Sequence, residues 1–441
     1  MREGTTTSTR LRALDGVRGV AAVVVVIYHV SLIARPFATG GGRAEAVWTG
    51  VTESPLKLLF AGTEAVLVFF VLSGLVVVLP LLRRSTSWAA FFASRLVRLY
   101  VPVWGALLLA VALIAVVPRR EGAVSSGEWI DEANASSVSV GSFLHEASLA
   151  PASYDIVNTL WSLRWELVFT ALLPVAIGVA LLVRRSLVAL VGTGLAAAAT
   201  TVAGRVLGVD ALVYLPVFLL GTLVAVRLDD LLAWARLRPR PLLWSVVGSS
   251  SALLLIASWL ARPFAPPRTI VSEVLWGFAG LGALGLVIVA VCSPALDRLL
   301  STRIPQWAGR VSFSLYLVHV PVLATIAYAV GDRWWWVVGL VGVPLSFVIA
   351  EVFFRLVERP SHVLARRTGR LVGRGVAAAR ERFARPAIRT SSESRGEPDC
   401  VSAAEPLAGR EPTLASPRRG RTVAPIARRS AASPRSARRG D

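Results

Sequence analysis

Residues 14–35 read LDGVRGVAAVVVVIYHVSLIAR, and this stretch decides the fold. It is long enough to cross a bilayer, which takes roughly 20 mainly apolar residues. It nevertheless carries Asp15, Arg18 and His29, which sets it apart from the plain apolar stretch of a secretory leader. It therefore reads as a retained first span. Arg18 and His29 lie eleven steps apart, which at 100° per residue comes to about 20° past three full turns. Both side chains thus fall on one stripe, about 16 Å apart along the axis. Asp15, three residues before Arg18, lies within pairing reach on the same face.

Working outward, the chain of 441 residues is 55% hydrophobic and 17% charged, where a soluble domain carries about 25% charged residues. Ten segments qualify as spans: 14–35, 60–82, 99–117, 160–183, 186–204, 211–226, 241–261, 271–293, 311–330 and 334–357. Basic residues cluster after the even spans: Arg83, Arg84, Arg95 and Arg98; Arg184 and Arg185; Arg227, Arg236, Arg238 and Arg240; Arg298, Arg303 and Arg310. The connection 118–159 instead holds Arg119 and Arg120 against six acids. By the asymmetry of Lys and Arg across membranes, both termini lie in the cytoplasm. The expectation is an all-α integral membrane protein of about ten transmembrane helices, with residues 1–362 in the membrane.

Lys57 is the single lysine among 47 basic residues, an arginine bias typical of a GC-rich bacterial genome. Much of the net charge of +20 sits in residues 363–441, where 18 arginines face seven acids. Residues 363–385 suit a basic amphipathic helix on a membrane surface, and from about Pro386 the Ser, Pro, Ala and Arg composition reads as disordered. A basic flank of this kind sits against an anionic cytoplasmic leaflet, so the lipid bilayer is the expected partner and nucleic acid is not. Cys292 and Cys400 support neither a disulfide framework nor a metal site.

Ionisable groups inside spans cost roughly 2.5–3.5 kcal/mol each and point to function. With the first span entering from inside, Arg18 stands at the cytoplasmic border and His29 in the outer half. The fourth span enters from outside through Trp161, Ser162, Leu163, Arg164, Trp165 and Glu166. Glu166 then arrives near the depth of His29, where a carboxylate can orient an imidazole; a local pair with Arg164 is the structural alternative. Arg95 and Arg98, one turn apart, suit phosphate oxygens through their guanidinium forks, or simply anchor the cytoplasmic face. Ser73–Gly74, Tyr316 and His319 are further polar points, and Glu351, Arg355 and Glu358 recur at i, i+4, i+7 as one charged stripe. Ser-Gly pairs also serve close helix packing, and Glu351 with Arg355 also suits a stabilising pair.

These residues resemble the membrane acyltransferase 3 family, over roughly residues 10–362. Leu14–Asp15–Gly16–Val17–Arg18–Gly19 with His29 is similar to its basic-x10-His signature. Phe69–Phe70–Val71–Leu72–Ser73–Gly74, Arg95-x-x-Arg98–Leu99–Tyr100–Val101–Pro102, Trp161–Ser162–Leu163 with Glu166, Ser314–Leu315–Tyr316–Leu317–Val318–His319–Val320–Pro321 and Glu358–Arg359–Pro360 follow in family order. Two positions depart: Leu67 stands where the family often has an acid, the nearest being Glu64, and Arg164 replaces a small residue. The resemblance implies a multi-pass enzyme of the bacterial cytoplasmic membrane, in which no cofactor is held permanently and acyl-CoA, acetyl-CoA first, is the co-substrate. It implies a glycan or glycosylated small molecule as acceptor, Arg18, Arg95 and Arg98 on the donor phosphates, and His29 as base or transient acyl carrier aided by Glu166. Asp15, Ser73, Trp161, Ser162, Tyr316, His319 and Glu358 would support them. The rival readings are a transporter or flippase using the same charges as a substrate path, and a non-enzymatic scaffold.

Overall fold

The computed structural model describes residues 5–83, 87–120, 124, 129–130 and 133–384, the side chains of residues 12–380 within these. Arg84, four of the six acids of the 118–159 connection and the expected disordered segment from Pro386 lie outside the described residues. The described residues form helices joined by turns and loops, without a strand. The first run, VVVVI at 23–27, is β-branched and poorly suited to a helix in water, yet it lies inside helix α1, Thr5–Ala38. In lipid a helix satisfies every backbone group within the segment, and this outweighs side-chain propensity. For the same reason Pro80, Pro102, Pro174, Pro216 and Pro321 all lie inside helices.

After α1 come α2 (Gly42–Thr52), a short 3₁₀ turn (Pro55–Phe60), α3 (Gly62–Arg83), α4 (Trp88–Val116) and α5 (Val140–Ala147). Then follow α6 (Leu160–Val183), α7 (Leu187–Leu207), α8 (Asp210–Ala225), α9 (Leu228–Leu237), α10 (Pro241–Leu255) and α11 (Ala257–Leu260). The last are α12 (Ile270–Gly277), α13 (Ala279–Cys292), α14 (Pro294–Leu300), α15 (Arg303–Val330), α16 (Val343–Phe353) and α17 (Arg359–Ala384). Serine and threonine caps open several of them: Ser87, Ser186 and Thr269 accept from the amides of Ala90, Ala189 and Ser272.

Among the described residues, eight helices are long and apolar enough to cross a membrane. Two segments of the ten-span expectation fall short: α8 has 16 residues and bends by 60° into α9, and α10 has 15. Leu182 and Val188 are more than four-fifths exposed, the outward apolar surface expected where lipid replaces water. The expected amphipathic segment at 363–385 is part of α17, which continues from α16 through a π-helical turn and packs along α4.

Two large apolar clusters and a small third one, Ala13, Ala290 and Leu300, form the interior of the described residues. One large cluster gathers Leu67, Val71 and Leu75 of α3 with Phe218 of α8 and Ala283 of α13. The other joins Val103 and Leu107 of α4 to Ile130, Ile156 and Val157 of the 118–159 connection and to Val318 of α15. Helix α1 feeds both, with Ala21 and Val25 in the first and Ala22 and Val26 in the second. The Ser73–Gly74 pair does permit close packing: a Cβ on Gly74 would overlap the carbonyl oxygen of Phe218, and one on Gly221 that of Val71. At this crossing α3 and α8 touch backbone to backbone.

Candidate active site

Where the two clusters meet, a cavity of about 170 Å³ opens among α1, α3, α4, α6 and α15. Its polar wall is Arg18, Ser73, Arg95, Arg98, Ser162, Glu166, Ser312, Tyr316 and Glu358; Phe69 and Phe313 are among the residues of its apolar wall. Separate sequence motifs thus deliver their polar residues to one space. Asp15, Trp161, His29 and His319 are not among its lining residues: Asp15 is exposed on α1, Trp161 stacks obliquely on Tyr214 with ring centres 5.3 Å apart, and the two histidines lie beyond Tyr316. No ion pair joins Asp15 to Arg18 among the described residues, so the expected pair does not form.

The three arginines are not equivalent. Arg95 donates through Nη2 to Glu166 Oε1 at 2.7 Å and to Ser73 Oγ at 3.3 Å, and through Nε to Thr170 Oγ1 at 2.8 Å. The Thr170 hydroxyl donates in turn to the Glu166 carbonyl one turn back, at 2.7 Å. Arg18 and Arg98 make no ion pair or hydrogen bond with described residues, and both face the cavity. One guanidinium is therefore locked in place and two keep their forks for an anion. The sequence motifs do not single out Thr170; its signal is a hydroxyl four residues after Glu166, on the same helical face.

Glu166 is not the partner of His29, contrary to expectation. Its carboxylate bonds to Arg95 and Ser73, and the local pair with Arg164 does not form either. Leu160, the first residue of α6, is fully buried, as is Val157 just before it. Helix α6 therefore starts beneath the 118–159 connection rather than at an open membrane edge. Ser162 meets Tyr316; Glu166 lies one turn inward from Ser162, and His319 one turn outward from Tyr316. At 1.5 Å per residue the carboxylate stands about 10 Å nearer the Arg18 end than the imidazoles.

His29 is turned inward and is 8% exposed. Its Nδ1 lies 2.9 Å from the Val25 carbonyl oxygen and 3.1 Å from Nε2 of His319, which is wholly buried. Trp129 of the 118–159 connection packs on His29, with ring centres 5.1 Å apart. The cavity wall ends at Ser162 and Tyr316, whose oxygens are 2.6 Å apart. The Ser162 hydroxyl is also 3.1 Å from the Thr159 carbonyl, to which it donates, so Tyr316 O–H donates to Ser162. The Tyr316 and His319 rings are 6.1 Å apart. The arginines, the tyrosine and the imidazole pair thus form one line from the Arg18 end of α1 toward its far end.

Glu351, Arg355 and Glu358 do not form one stripe. Glu351 binds Arg355 at 2.7 Å and accepts from Trp307 Nε1 at 2.9 Å. Glu358 turns the other way, into the cavity wall, accepting from the backbone N–H of Ser314 at 3.1 Å and from its hydroxyl at 2.5 Å. The π-helical turn Phe354–Glu358 adds a residue to one turn and rotates Glu358 off the α-helical register. At the substituted positions, Leu67 is core, and Glu64 is fully buried while accepting from Trp259 Nε1 at 2.9 Å. Near it the Lys57 ammonium lies 3.6 Å from the Trp259 ring centre, and burial lowers its pKa to about 8.

A helical membrane domain with an arginine-walled cavity and, one turn beyond Tyr316 of its wall, a buried imidazole pair defines the class: a multi-pass membrane protein with an internal polar site. The chain belongs to the acyltransferase 3 family, whose acyltransferase domain matches residues 11–355. A stretch of 53 residues is 42% identical to the O-acetyltransferase PaAT-1 of Phomopsis amygdali, covering 12% of this chain and 11% of that relative. No solved structure matches the chain.

Proposed function

We infer that the protein is a membrane O-acyltransferase that moves an acyl group, acetyl in the first instance, from cytoplasmic acyl-CoA to a hydroxyl of a glycan or glycosylated acceptor. The observation that carries this reading is the convergence of Arg18, Arg95 and Arg98 on one cavity, with His29 eleven residues beyond Arg18 on the same helix. On this reading residues 1–362 form the catalytic domain, ten spans cross the bacterial cytoplasmic membrane, and both termini, with the basic tail 363–441, are cytoplasmic. The arginine end of the cavity then opens toward the cytosol, where the donor is.

Arg18 and Arg98 hold the phosphates of the donor, and Arg95, fixed by Glu166, Ser73 and Thr170, shapes the cradle between them. The thioester lies toward Tyr316 and the imidazoles. His29 takes the proton of the acceptor hydroxyl as its oxygen attacks the thioester carbonyl. The new C–O bond forms, the C–S bond breaks, and the departing thiolate recovers a proton from His29. General-base help is worth roughly 10²–10⁴ in rate. The alternative chemistry, in which His29 carries the acyl group transiently, uses the same residues.

The test is release of free CoA thiol by purified protein given acetyl-CoA and candidate acceptors. A transporter or a scaffold releases none. His29→Ala should remain folded, with an unchanged thermal midpoint, and lose roughly 10²–10⁴ of its rate. Full activity in the folded variant refutes the assignment of His29.

A further inference from the structure

We propose that His319 is a positioning residue that holds His29 in the tautomer whose Nε2 is the free base, an inference that rests on the catalytic role given to His29 above. The argument follows from which atoms can donate. His319 Nδ1 lies 2.8 Å from the Leu315 carbonyl oxygen. A carbonyl oxygen only accepts, so Nδ1 carries the hydrogen and, in the neutral ring, Nε2 carries the lone pair. That lone pair faces His29 Nδ1 at 3.1 Å. His29 Nδ1 also faces the Val25 carbonyl oxygen at 2.9 Å. Between two acceptors it must be the protonated nitrogen, and its hydrogen is shared between them.

The opposite arrangement fails. A hydrogen on His319 Nε2 would need a lone pair on His29 Nδ1, and that lone pair would also point at the Val25 oxygen with nothing between them. The neutral pair therefore has one self-consistent protonation pattern. It leaves His29 Nε2 without a hydrogen, and no described residue donates to it.

The consequence bears on the transfer step. When His29 Nε2 accepts the acceptor's proton, the ring becomes a cation whose Nδ1–H already points at two acceptors. The carboxylate of a hydrolase triad does this with a negative charge; here a neutral imidazole and a carbonyl do it. Glu166 is engaged by Arg95 one to two turns away, so the orienting task falls to His319. The chain has four histidines, and α1 and α15 bring these two together across 290 positions.

The decisive measurement is the ring-nitrogen spectrum of full-length protein labelled with ¹⁵N-histidine, with His29 and His319 assigned from His29→Ala and His319→Gln. The expected result for the wild type is a protonated Nδ1 and an unprotonated Nε2 at His29. His319→Leu should release His29 toward the other tautomer and lower kcat roughly 10²–10³-fold while KM for acetyl-CoA stays within about twofold. His319→Gln, whose side-chain oxygen can accept from Nδ1, should recover about tenfold or more of that loss. A wild-type His29 protonated at Nε2 overturns the proposal, and so does a His319→Leu variant with wild-type kcat. If His319→Leu does not fold, the wild-type spectrum decides alone. Full activity of His29→Ala would sink the catalytic role of His29 instead, and the spectra would still report the tautomer.

Discussion

Arg95 and Arg98 sit one turn apart on α4 and face the same cavity, yet their removal should have different consequences. Arg95 is 17% exposed, and its partner Glu166 is 28% exposed, with 2.7 Å between them. In Arg95→Gln the carboxylate keeps only the Ser73 hydroxyl. Stripping one partner from a buried pair costs about 3–5 kcal/mol; water in the cavity reaches both groups, so about 2–3 kcal/mol is expected here. The double variant Arg95→Gln with Glu166→Gln removes both charges and should regain at least half of the loss. Arg98 has no such partner. Arg98→Gln should leave the thermal midpoint in place and cost the donor one charged hydrogen bond, about 1.5–3 kcal/mol, or roughly tenfold to a hundredfold in KM for acetyl-CoA. Thermal unfolding in detergent, paired with thiol release across a range of acetyl-CoA concentrations, measures both effects. An Arg95→Gln protein with the wild-type midpoint, or a double variant less stable than the single one, refutes the buried-pair reasoning. An unchanged KM in Arg98→Gln refutes the phosphate role.

Two further perturbations act away from the cavity. A Cβ on Gly309 would overlap the carbonyl oxygen of Asp15 on α1, so Gly309→Ala must push the helices apart; it should cost about 1–3 kcal/mol and lower the midpoint, whereas Gly192→Ala, with open space around it, should not. An unchanged midpoint in Gly309→Ala contradicts the close approach. Glu146, in the connection over the imidazoles, accepts from the amides of Ile156 at 2.9 Å and Val157 at 3.2 Å, and burial raises its pKa from 4.5 to about 7. The folded loop therefore holds this proton longer than the unfolded chain does. Its stability is fullest below pH 4.5, falls as pH rises to about 7, and is level above that. Hydrogen exchange at Ile156 and Val157, corrected for intrinsic rates, should follow this curve and become flat in Glu146→Gln; a slope that persists in the variant contradicts the assignment.

Some of the site is written in the sequence and some is not, and the division has a physical basis. Helical periodicity fixes which residues share a face, so Arg18 and His29, or Arg95 and Arg98, can be grouped from their spacing alone. Periodicity does not fix height. The depth of Glu166 depends on how far the 118–159 connection sinks over the start of α6, and that follows from long-range packing of Ile156 and Val157 against α4 and α15. Counting residues inward from a membrane edge therefore pairs the carboxylate with the wrong group. Periodicity also assumes an unbroken α-helix, and the π-helical turn at Phe354–Glu358 breaks it between Glu351 and Glu358. The His29–His319 contact joins two segments 290 positions apart; both residues are visible as costly polar groups in spans, but nothing local pairs them.

The same long-range packing explains why the site lies where it does. A cavity inside one apolar cluster would waste dispersion contacts on every side, whereas a seam between two clusters already lacks perfect fit. Helix α1 runs along that seam and contributes to both clusters, so Arg18 and His29 are carried by one rigid body with about 16 Å between them. Helix α15 carries Tyr316 and His319 and is locked to α1 by backbone contact, Gly19 against Pro305 and Gly309, and Gly309 against Asp15. The lock sits at the arginine end. His29 follows Gly19 by ten residues and His319 follows Gly309 by ten, and there the two imidazoles meet at 3.1 Å. With both ends fixed to the same two helices, the spacing between Arg18 and the imidazole pair is set by helix geometry and not by loops.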